Sequence, residues 1–255
     1  DARIENIYQI NRSTLVLRLH KPNQPTMQLL VEAGKRIHLT GYVLEKPFKP
    51  PAFCMALRKY LRNSKIIEVQ QHEFERAIVF RISTREGIFQ LIFELFGEGN
   101  IILSNQQSII IAAQTYKKMR DRDILRNEIF QQAPPRGKNP FNTSRAQMDE
   151  LKNFGHLEIV RAITKFLSFG GLYAEELLLR ANVDKNTPCQ ALTDKQLDDI
   201  FTQLKNILSH VTEVKFDPAI VIDSKDELID VTPISLKRYE GLERKPHKTL
   251  NEALD

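Results

Sequence analysis

The sequence predicts an α+β fold, in which an antiparallel β domain with one packed helix is followed by a helical domain. Residues 1–40 and 65–113 contain short runs rich in β-branched and aromatic residues, separated by turn residues, a pattern typical of antiparallel strands. Residues 53–62 repeat apolar side chains at helical spacing. Beyond residue 146 the apolar period changes to about 3.6 residues, which indicates amphipathic helices.

The first forty residues predict two pairs of strands. ARIENIYQI and TLVLRLH alternate around a turn at Asn11, and MQLLVEA and IHLT flank a second turn at 34–36. Residues 41–52 contain three prolines, which cannot continue a helix or a central strand, so they predict a loop. Pro51, the last of them, favours the start of the helix that follows.

The stretch from Phe53 to Leu103 organises the rest of the first domain. Its helix has one apolar face and leaves on the other a stripe of cations: Arg58, Lys59, Arg62 and Lys65. It continues into three strand-like runs, KIIEVQ, RAIVFRI and GIFQLIFELF. We therefore expect a basic helix that lies on a twisted antiparallel sheet, followed by a further strand or edge element in SIIIAAQTYKK.

The composition of residues 131–145, with three prolines and one glycine, predicts a linker between domains. We therefore expect a first domain over 1–145 and a helical domain over 146–212, with Thr193 as the N-cap of its last helix. Residues 213–255 return to strand-like alternation. We expect this last segment to rejoin the first sheet.

Composition also limits the class of protein. The 255 residues, 42% of them hydrophobic, suffice for one large core or two smaller ones, and the formal charge of +5 favours a polyanionic partner. Cys54 and Cys189 are isolated, so they predict buried thiols in a reducing cytosol. The six histidines are scattered without ligand spacing. No run approaches the roughly 20 apolar residues of a membrane span. We expect no metal, cofactor, small-molecule substrate or membrane, and a start at Asp1 that is truncated.

The sequence also lacks the motifs of common enzyme classes. Residues 97–99 (GEG) miss the third glycine of a dinucleotide loop and lie between two strands, so they predict a hairpin turn. GxxxxGK[ST], GxSxG and HExxH are absent. The carboxylate pairs Glu175–Glu176 and Asp198–Asp199 fall on predicted helices, where solvated faces explain them.

A glycine pair, Gly170 and Gly171, separates two predicted helices. Glycines let the backbone approach a partner closely, and the next helix N-terminus offers N–H groups to a phosphate, although a tight turn between helices also explains them. The matching residues are Gly170-Gly171-Leu172-Tyr173-Ala174, Glu176, Leu178, Ala181 and Pro188. On these the stretch resembles the helix–two-turn–helix motif of formamidopyrimidine-DNA glycosylases, which implies a grip on a nucleic-acid backbone. That family's N-terminal proline and four-cysteine zinc finger have no counterparts here.

A second resemblance covers nearly the whole chain. It rests on ARIENIYQI, LLVEAGKRIHLT, KPPAFCMALRKYLRN, HEFERAIVF, LIFELFGEGNIIL and MRDR, in that order, and on a closing stretch with Asp230, Val231, Pro233, Leu236, Tyr239 and LNEALD. On these the chain resembles the N-terminal region of NFACT proteins, the ribosome-quality-control factors of RqcH and NEMF type, in their archaeal form. Some members carry the label fibronectin-binding protein. The resemblance implies a glycosylase-like β domain, a helix-hairpin-helix-type domain, and a lead-in to a coiled coil.

The resemblance implies binding rather than enzymatic activity. Such proteins bind the large ribosomal subunit with a stalled peptidyl-tRNA and recruit aminoacyl-tRNA, alanyl in prokaryotic members, so that a C-terminal tail grows on the nascent chain. The ribosome performs the peptidyl transfer. An Asp-Arg pair that the family needs for tailing corresponds here to Glu75–Arg76. Glu75 keeps the charge but adds a methylene, which leaves its part in tailing open.

We expect contacts with RNA, in the cytoplasm, at a set of mostly basic residues: Arg36, Arg58, Lys59, Arg62, Glu75, Arg76, Asn100, Lys117, Arg120, Arg122, Gly170 and Gly171. Asp121 and Asp123 interleave with the cluster at 117–122, so pairing within that cluster is an alternative there. Two other functions stay open at this point: a divergent DNA glycosylase or lyase, and an adhesion module that binds fibronectin.

Overall fold

A computed structural model describes residues 2–135 and 137–255. The structure divides into two units. The first is the chain up to Pro134 together with Asp255, and the second is Pro135–Leu254. This division falls inside the stretch 131–145.

The first unit is built on one antiparallel sheet of nine strands. They are β1 (Arg3–Gln9), β2 (Thr14–His20), β3 (Met27–Glu32), β4 (Arg36–Thr40), β5 (Lys65–Gln71), β6 (Ala77–Thr84), β7 (Gly87–Glu94), β8 (Asn100–Asn105) and β9 (Ile110–Ala113). Their spatial order is β4-β3-β2-β1-β5-β6-β7-β8-β9. Helix α1 spans Ala52–Leu61, and a separate pair joins β10 (Lys117–Lys118) to β11 (Asp123–Ile124). The predicted strands and helix are thus present.

The sheet consists of two halves that meet at β1 and β5 through one paired position, Arg3 with Lys65. The chain passes between the halves through α1 rather than through a hairpin. Both halves and the helix bury side chains in one core, which includes Ile7, Leu17, Val31, Cys54, Leu57, Leu61, Phe80, Leu91 and Leu103. The sheet therefore folds over on itself, with the apolar face of α1 against its inner surface. Cys54 is a buried free thiol, as predicted.

Two hairpin turns, one from each half, meet with backbone against backbone. A Cβ atom on Gly99 would lie 1.9 Å from the Gly34 nitrogen, and one on Gly34 would lie 2.7 Å from the carbonyl oxygen of Gly97. The Gly34 N–H donates to the Glu94 carbonyl at 3.0 Å. Gly34 and Gly99 also have φ angles of +79° and +69°. Glycine is therefore required at both positions, both for the approach and for the backbone conformation.

The described residues of the second unit form four α-helices: α2 (Ile159–Phe166), α3 (Gly171–Ala181), α4 (Asp194–Thr212) and α5 (Leu250–Leu254). Four short 3-10 helices accompany them, at Pro140–Asn142, Ala146–Phe154, Cys189–Ala191 and Lys237–Tyr239. Thr193 caps α4, as predicted: its hydroxyl oxygen accepts from the Gln196 N–H at 3.2 Å, and its own N–H donates to Gln196 Oε1 at 3.0 Å.

The expectation that residues 213–255 rejoin the first sheet is wrong. They contribute β12 (Ala219–Ile222), β13 (Leu228–Thr232) and β14 (Glu243–Pro246), which form their own sheet in the order β13-β12-β14 within the second unit. Alternation along a strand identifies the strand, but it does not identify the strand that pairs with it.

Several of the residues that suggested a lead-in to a coiled coil pack within the second unit, whereas the last of them, Asp255, belongs to the first unit. Leu236 and Tyr239 are buried, and the Tyr239 hydroxyl donates to Asp230 Oδ2 at 2.8 Å. This hydrogen bond ties the 3-10 helix at Lys237–Tyr239 to β13.

Glu176 does not lie on a solvated face. Its side chain is completely buried and accepts from Arg180 Nε and from the backbone N–H groups of Lys237 and Arg238, at 2.8 and 3.1 Å for the latter two. The carboxylate therefore caps the 3-10 helix at Lys237–Tyr239, which covers this side of α3. The sequence of α3 alone does not indicate that another segment of the chain covers Glu176.

Among the described residues, no helix combines the length and the apolar character needed to cross a membrane. The same residues contain no group of three or more His, Cys, Asp or Glu side chains arranged to hold a metal ion.

We expect Gly99→Ala to lower the free energy of unfolding by about 3 kcal/mol, because the new Cβ must displace the Gly34 backbone while φ stays positive. Urea unfolding followed by circular dichroism measures this change. Gly171→Ala is the control, since a Cβ there meets nothing within 4 Å, and it should change the free energy by less than about 0.5 kcal/mol. Equal, small effects of both substitutions would contradict the contact between the turns.

Burial, together with the hydrogen bond to Asp230, raises the pKa of Tyr239 to about 12. Because the pKa in the folded state lies above the ordinary value of 10.0, the neutral phenol stabilises the fold below pH 10, and this contribution disappears between pH 10 and 12. We expect Tyr239→Phe to lower the free energy of unfolding by about 1.5 kcal/mol near neutral pH. Urea unfolding across the pH range should show the difference from wild type shrinking above pH 10. A constant difference would disagree with this assignment.

Candidate nucleic-acid interface

Two of the predicted cations lie on the outer face of α1. Met55, Lys59 and Arg62 are exposed and follow one another at helical spacing, with Arg62 just past the last helical turn, while Cys54 and Leu57 point into the core. Among the residues that the structure describes, neither Lys59 nor Arg62 has a carboxylate partner; Lys59 Nζ lies 5.1 Å from the centre of the Tyr60 ring. These two charges are therefore available to an external anion.

Arg58 is fixed against β1 rather than free. Its Nε donates to the Ile7 carbonyl oxygen at 2.6 Å, and its guanidinium carbon lies 5.4 Å from the centre of the Tyr8 ring. Lys46 Nζ lies 4.3 Å from the centre of the same ring. Tyr8 thus holds one cation from α1 and one from the loop before it, through cation–π contacts. Neither Tyr8 nor Lys46 is recognisable from the sequence as part of this cluster, because their proximity arises only when β1, the loop and α1 pack together.

Lys65 does not extend the stripe on α1, contrary to expectation. The helix ends at Leu61, Asn63 adopts a left-handed conformation with φ of 64°, and Lys65 is the first residue of β5. The Asn63 N–H donates to the Ile4 carbonyl oxygen at 2.7 Å, which ties the end of α1 to the beginning of β1. In the sequence, the helical spacing of the basic residues continues from Arg62 to Lys65. The backbone, however, has already left the helix at Asn63.

A second group of predicted residues lies around the Gly34–Gly99 contact, which we call the turn junction. Arg76 Nη2 donates to the Lys35 carbonyl oxygen at 2.9 Å. Lys35 and Arg36 both pair with Glu32, at 2.6 and 3.3 Å, and the hydrogen bond from Lys35 lowers the pKa of that carboxyl. Lys117 pairs with Glu98, whose pKa is lowered by the hydrogen bond from Lys117. The cations of the turn junction are therefore largely compensated by local carboxylates.

The two groups lie towards opposite ends of β1. The end of α1 is bonded to Ile4, whereas the turn junction is bonded to the hairpin that follows Gln9, through the Ala33 N–H and the Ser13 carbonyl at 2.9 Å. Ile4 and Gln9 are five residue steps apart along the strand, which corresponds to about 17 Å. The predicted set therefore forms two groups in the first unit rather than one continuous patch.

Glu75 precedes Arg76 in a turn that its own backbone stabilises. The Glu75 N–H donates to the His72 carbonyl, and the Glu75 carbonyl accepts from Gln71 Nε2, both at 2.9 Å. The Glu75 residue is half-buried. These bonds fix the backbone from which the Arg76 side chain reaches the turn junction.

Arg122 and Asn100, two predicted contact residues, are buried. Arg122 forms an ion pair with Glu94 at 2.6 Å, and both side chains are about 95% buried. Asn100 donates to the Thr115 carbonyl at 2.8 Å and accepts from the Thr115 N–H at 3.1 Å. We therefore correct the prediction for both residues: they hold the strands together and do not offer polar atoms to an external ligand.

Arg120 is exposed in the turn between β10 and β11. In the described part of the chain, no ion pair joins Asp121 or Asp123 to a neighbouring arginine; Asp123 Oδ1 instead accepts from the Met119 N–H at 3.3 Å. The interleaved carboxylates thus leave the Arg120 charge uncompensated.

Gly170 and Gly171 lie in the second unit at the start of α3. Gly170 is the N-cap and Gly171 the first helical residue, and both are exposed. A Cβ atom at either position would meet nothing within 4 Å. The packing of the second unit therefore does not require glycine here, and Gly171, which carries the first N–H group of α3, is exposed.

The chain is similar to known proteins both in sequence and in fold. The sequence matches the family described as NFACT N-terminal and middle domains over residues 1–255. It is 38% identical over 265 residues to the archaeal Rqc2 homolog aRqcH of Methanocaldococcus jannaschii, with 100% of this chain and 39% of the relative covered. It is 25% identical over 208 residues to the human ribosome quality control complex subunit NEMF, with 80% of this chain and 19% of the relative covered. The chain thus spans less than half the length of either relative.

Two solved structures share the fold over the whole chain. The fibrinogen binding protein of Staphylococcus aureus has a TM-score of 0.76 at 21% identity, with 91% of that chain covered. The N-terminal part of the fibronectin/fibrinogen-binding protein of Streptococcus suis has a TM-score of 0.71 at 23% identity, with 90% covered. At these identities the likeness concerns the fold, and it confirms the predicted class, a large antiparallel sheet with several helices.

We expect Arg122→Ala to lower the free energy of unfolding by about 3 kcal/mol, because the Glu94 carboxylate would stay buried without its partner. Arg120, which is exposed nearby in the sequence, provides the control. Arg120→Ala should change the free energy of unfolding by less than about 0.5 kcal/mol. Thermal and urea unfolding measure both variants. Near-equal stability of the two would show that Arg122 is not a structural residue.

Proposed function

Because this chain belongs to the family of NFACT N-terminal and middle domains, we propose that it binds tRNA and acts in ribosome quality control. In this role it holds aminoacyl- or peptidyl-tRNA at the large ribosomal subunit, so that a stalled nascent chain receives a C-terminal alanine tail. The support is the family membership and the relatives' names, combined with the accessible cations of the first unit.

The observation that carries the proposal is the uncompensated charge on α1. Lys59 and Arg62 are exposed on one face of a helix whose other face is fixed in the core. Phosphate contacts by such cations release counterions, which supplies affinity that does not depend on sequence. Arg58 contributes by fixing α1 to β1, and Arg120 adds a further exposed charge.

We assign a second contact to the turn junction, through Glu75 and Arg76. Arg76 is held by the Lys35 carbonyl, so its guanidinium is oriented before RNA arrives. Arg36 and Lys117 lie in the same region. Because they already pair with Glu32 and Glu98, a contact with a phosphate adds less binding free energy at these two cations. Glu75 carries a carboxylate that repels phosphate but accepts hydrogen bonds, and we propose that it contacts ribose hydroxyls or base amino groups.

In the second unit we propose that the start of α3 meets an RNA phosphate. Gly170 and Gly171 leave its first N–H groups accessible, and the helix dipole favours negative charge at this end.

The proposed role is binding, not catalysis: the chain positions tRNA, and the ribosome forms the peptide bond. We accordingly place its action in the cytoplasm. Two other functions are not favoured, a DNA glycosylase or lyase and an adhesion module. The two relatives described above are named as an Rqc2 homolog and a ribosome quality control subunit, and the fibronectin and fibrinogen names belong to structural neighbours of less than 25% identity.

A salt titration of tRNA binding tests the proposal. We expect the logarithm of the binding constant to fall steeply with the logarithm of salt concentration between about 50 and 200 mM. In Lys59→Glu/Arg62→Glu the slope should become shallower by about 1.5, because two phosphate contacts are lost. Filter binding or fluorescence anisotropy with labelled tRNA measures both quantities.

The matched control is Lys195→Glu/Lys225→Glu, which lowers the formal charge from +5 to +1 just as the test variant does. Both lysines are exposed among acidic residues, so we expect the slope to stay near that of wild type. Wild-type chain that fails to bind tRNA at low salt, or equal losses in both variants, would contradict the proposed function.

A further inference from the structure

The loop before α1 exposes an aromatic side chain without burying any part of it. Phe48 is fully exposed, and Val43 and Tyr42 in the same loop are 87% and 63% exposed. A phenylalanine that keeps its entire surface in water forgoes the stabilisation that burial would give, about 2 kcal/mol. One exposed apolar side chain would need no explanation, but three large ones within seven residues of one loop mark a surface that can bind a partner.

The loop that carries Phe48 is constrained. Pro47, Pro50 and Pro51 restrict its backbone, and Pro51 is the N-cap of α1. At its beginning the Tyr42 N–H donates to Thr40 Oγ1 at 3.1 Å. In its middle, Lys46 lies over the Tyr8 ring. The ring of Phe48 is therefore presented by a braced segment, which lowers the entropy lost when a partner binds.

The segment that carries Phe48 has a net positive charge. Lys46 and Lys49 lie within two residues of Phe48 in the sequence, and Glu45 is the one carboxylate of this loop. Lys46 shares the Tyr8 ring with Arg58, which places this part of the loop beside α1 and its exposed Lys59. An apolar protein partner would meet lysines and prolines around a single ring, whereas RNA offers flat bases together with a charged backbone.

We propose that Phe48 is a stacking platform for an unpaired RNA base, while the adjoining backbone of that RNA follows the cations of the loop and α1. This inference rests on the proposed function and extends it, since it assigns the surface to a single-stranded segment rather than to a duplex. Bases of single-stranded loops and ends are free to stack on aromatic side chains, whereas paired bases within a helix are not.

The chain contains no tryptophan, so Phe48→Trp introduces one fluorophore at the proposed contact. We expect its emission to be quenched by a single-stranded oligouridine and by tRNA, but not by an abasic ribose-phosphate strand of equal length, which has the charge without the bases. Val43→Trp, at another highly exposed position of the loop, is the control and should show little quenching. Quenching by the abasic strand to the same extent would overturn the inference.

Phe48→Leu keeps an apolar side chain and removes the ring. We expect it to bind tRNA and oligouridine about tenfold more weakly than wild type, with unchanged affinity for the abasic strand. Val43→Ala should bind all three as wild type does. The circular dichroism spectrum and unfolding midpoint of Phe48→Leu should equal those of wild type, because the ring is not packed.

The outcomes separate this inference from the proposed function. The proposed function stands if wild type binds tRNA and Lys59→Glu/Arg62→Glu weakens that binding. Stacking is nevertheless refuted if Phe48→Leu binds tRNA as tightly as wild type and the fluorescence of Phe48→Trp is not quenched. If wild type binds no tRNA at low salt, the proposed function fails and the inference fails with it. Equal weakening of Phe48→Leu towards the base-containing and abasic strands would also refute stacking.

Discussion

The contact between Gly34 and Gly99 is the constraint on which the geometry of the first unit depends. The two halves of the sheet share one paired position, so strand pairing alone does not hold them together. They close through the common core and through two turns that touch at the backbone, which glycine alone allows. Arg76 donates to the carbonyl of Lys35 in one of these turns, and its own carbonyl accepts from Leu95 at 2.8 Å. The orientation of the Glu75–Arg76 pair is thus a consequence of this closure.

The surroundings of each cation, rather than the formal charge of the chain, decide whether that cation is available to bind a polyanion. Arg122 is buried with Glu94 and serves stability. Arg36 and Lys117 are exposed but paired with carboxylates. Lys59 and Arg62 are exposed on a helix whose inner face is fixed in the core, so they can meet a polyanion without first breaking an ion pair. Our proposal therefore places the main electrostatic contact on α1, with the ring of Phe48 next to its N-terminal end.

Local sequence patterns predicted local structure well. Alternation identified the strands of the first sheet, helical spacing identified α1 to α4, and Thr193 with Gln196 caps α4 as its sequence indicates. Two of the failures share a physical cause, because each depended on contacts between residues distant in the chain. Strand pairing places β12 in a separate sheet. Glu176 is covered by a segment about sixty residues later, an encounter that no periodicity encodes. The RNA contacts themselves stay a prediction, as does the domain division at 145 and 212.

Ultraviolet crosslinking of tRNA to the chain, followed by mass spectrometry of the crosslinked peptides, tests the central claim most directly, because it maps the contact surface without altering any side chain. Our account predicts crosslinks concentrated in the loop and helix between residues 42 and 62, with a second set around Glu75 and Arg76. Crosslinks confined to the two acidic segments that contain Lys195 and Lys225, with none on α1 or its preceding loop, would contradict it.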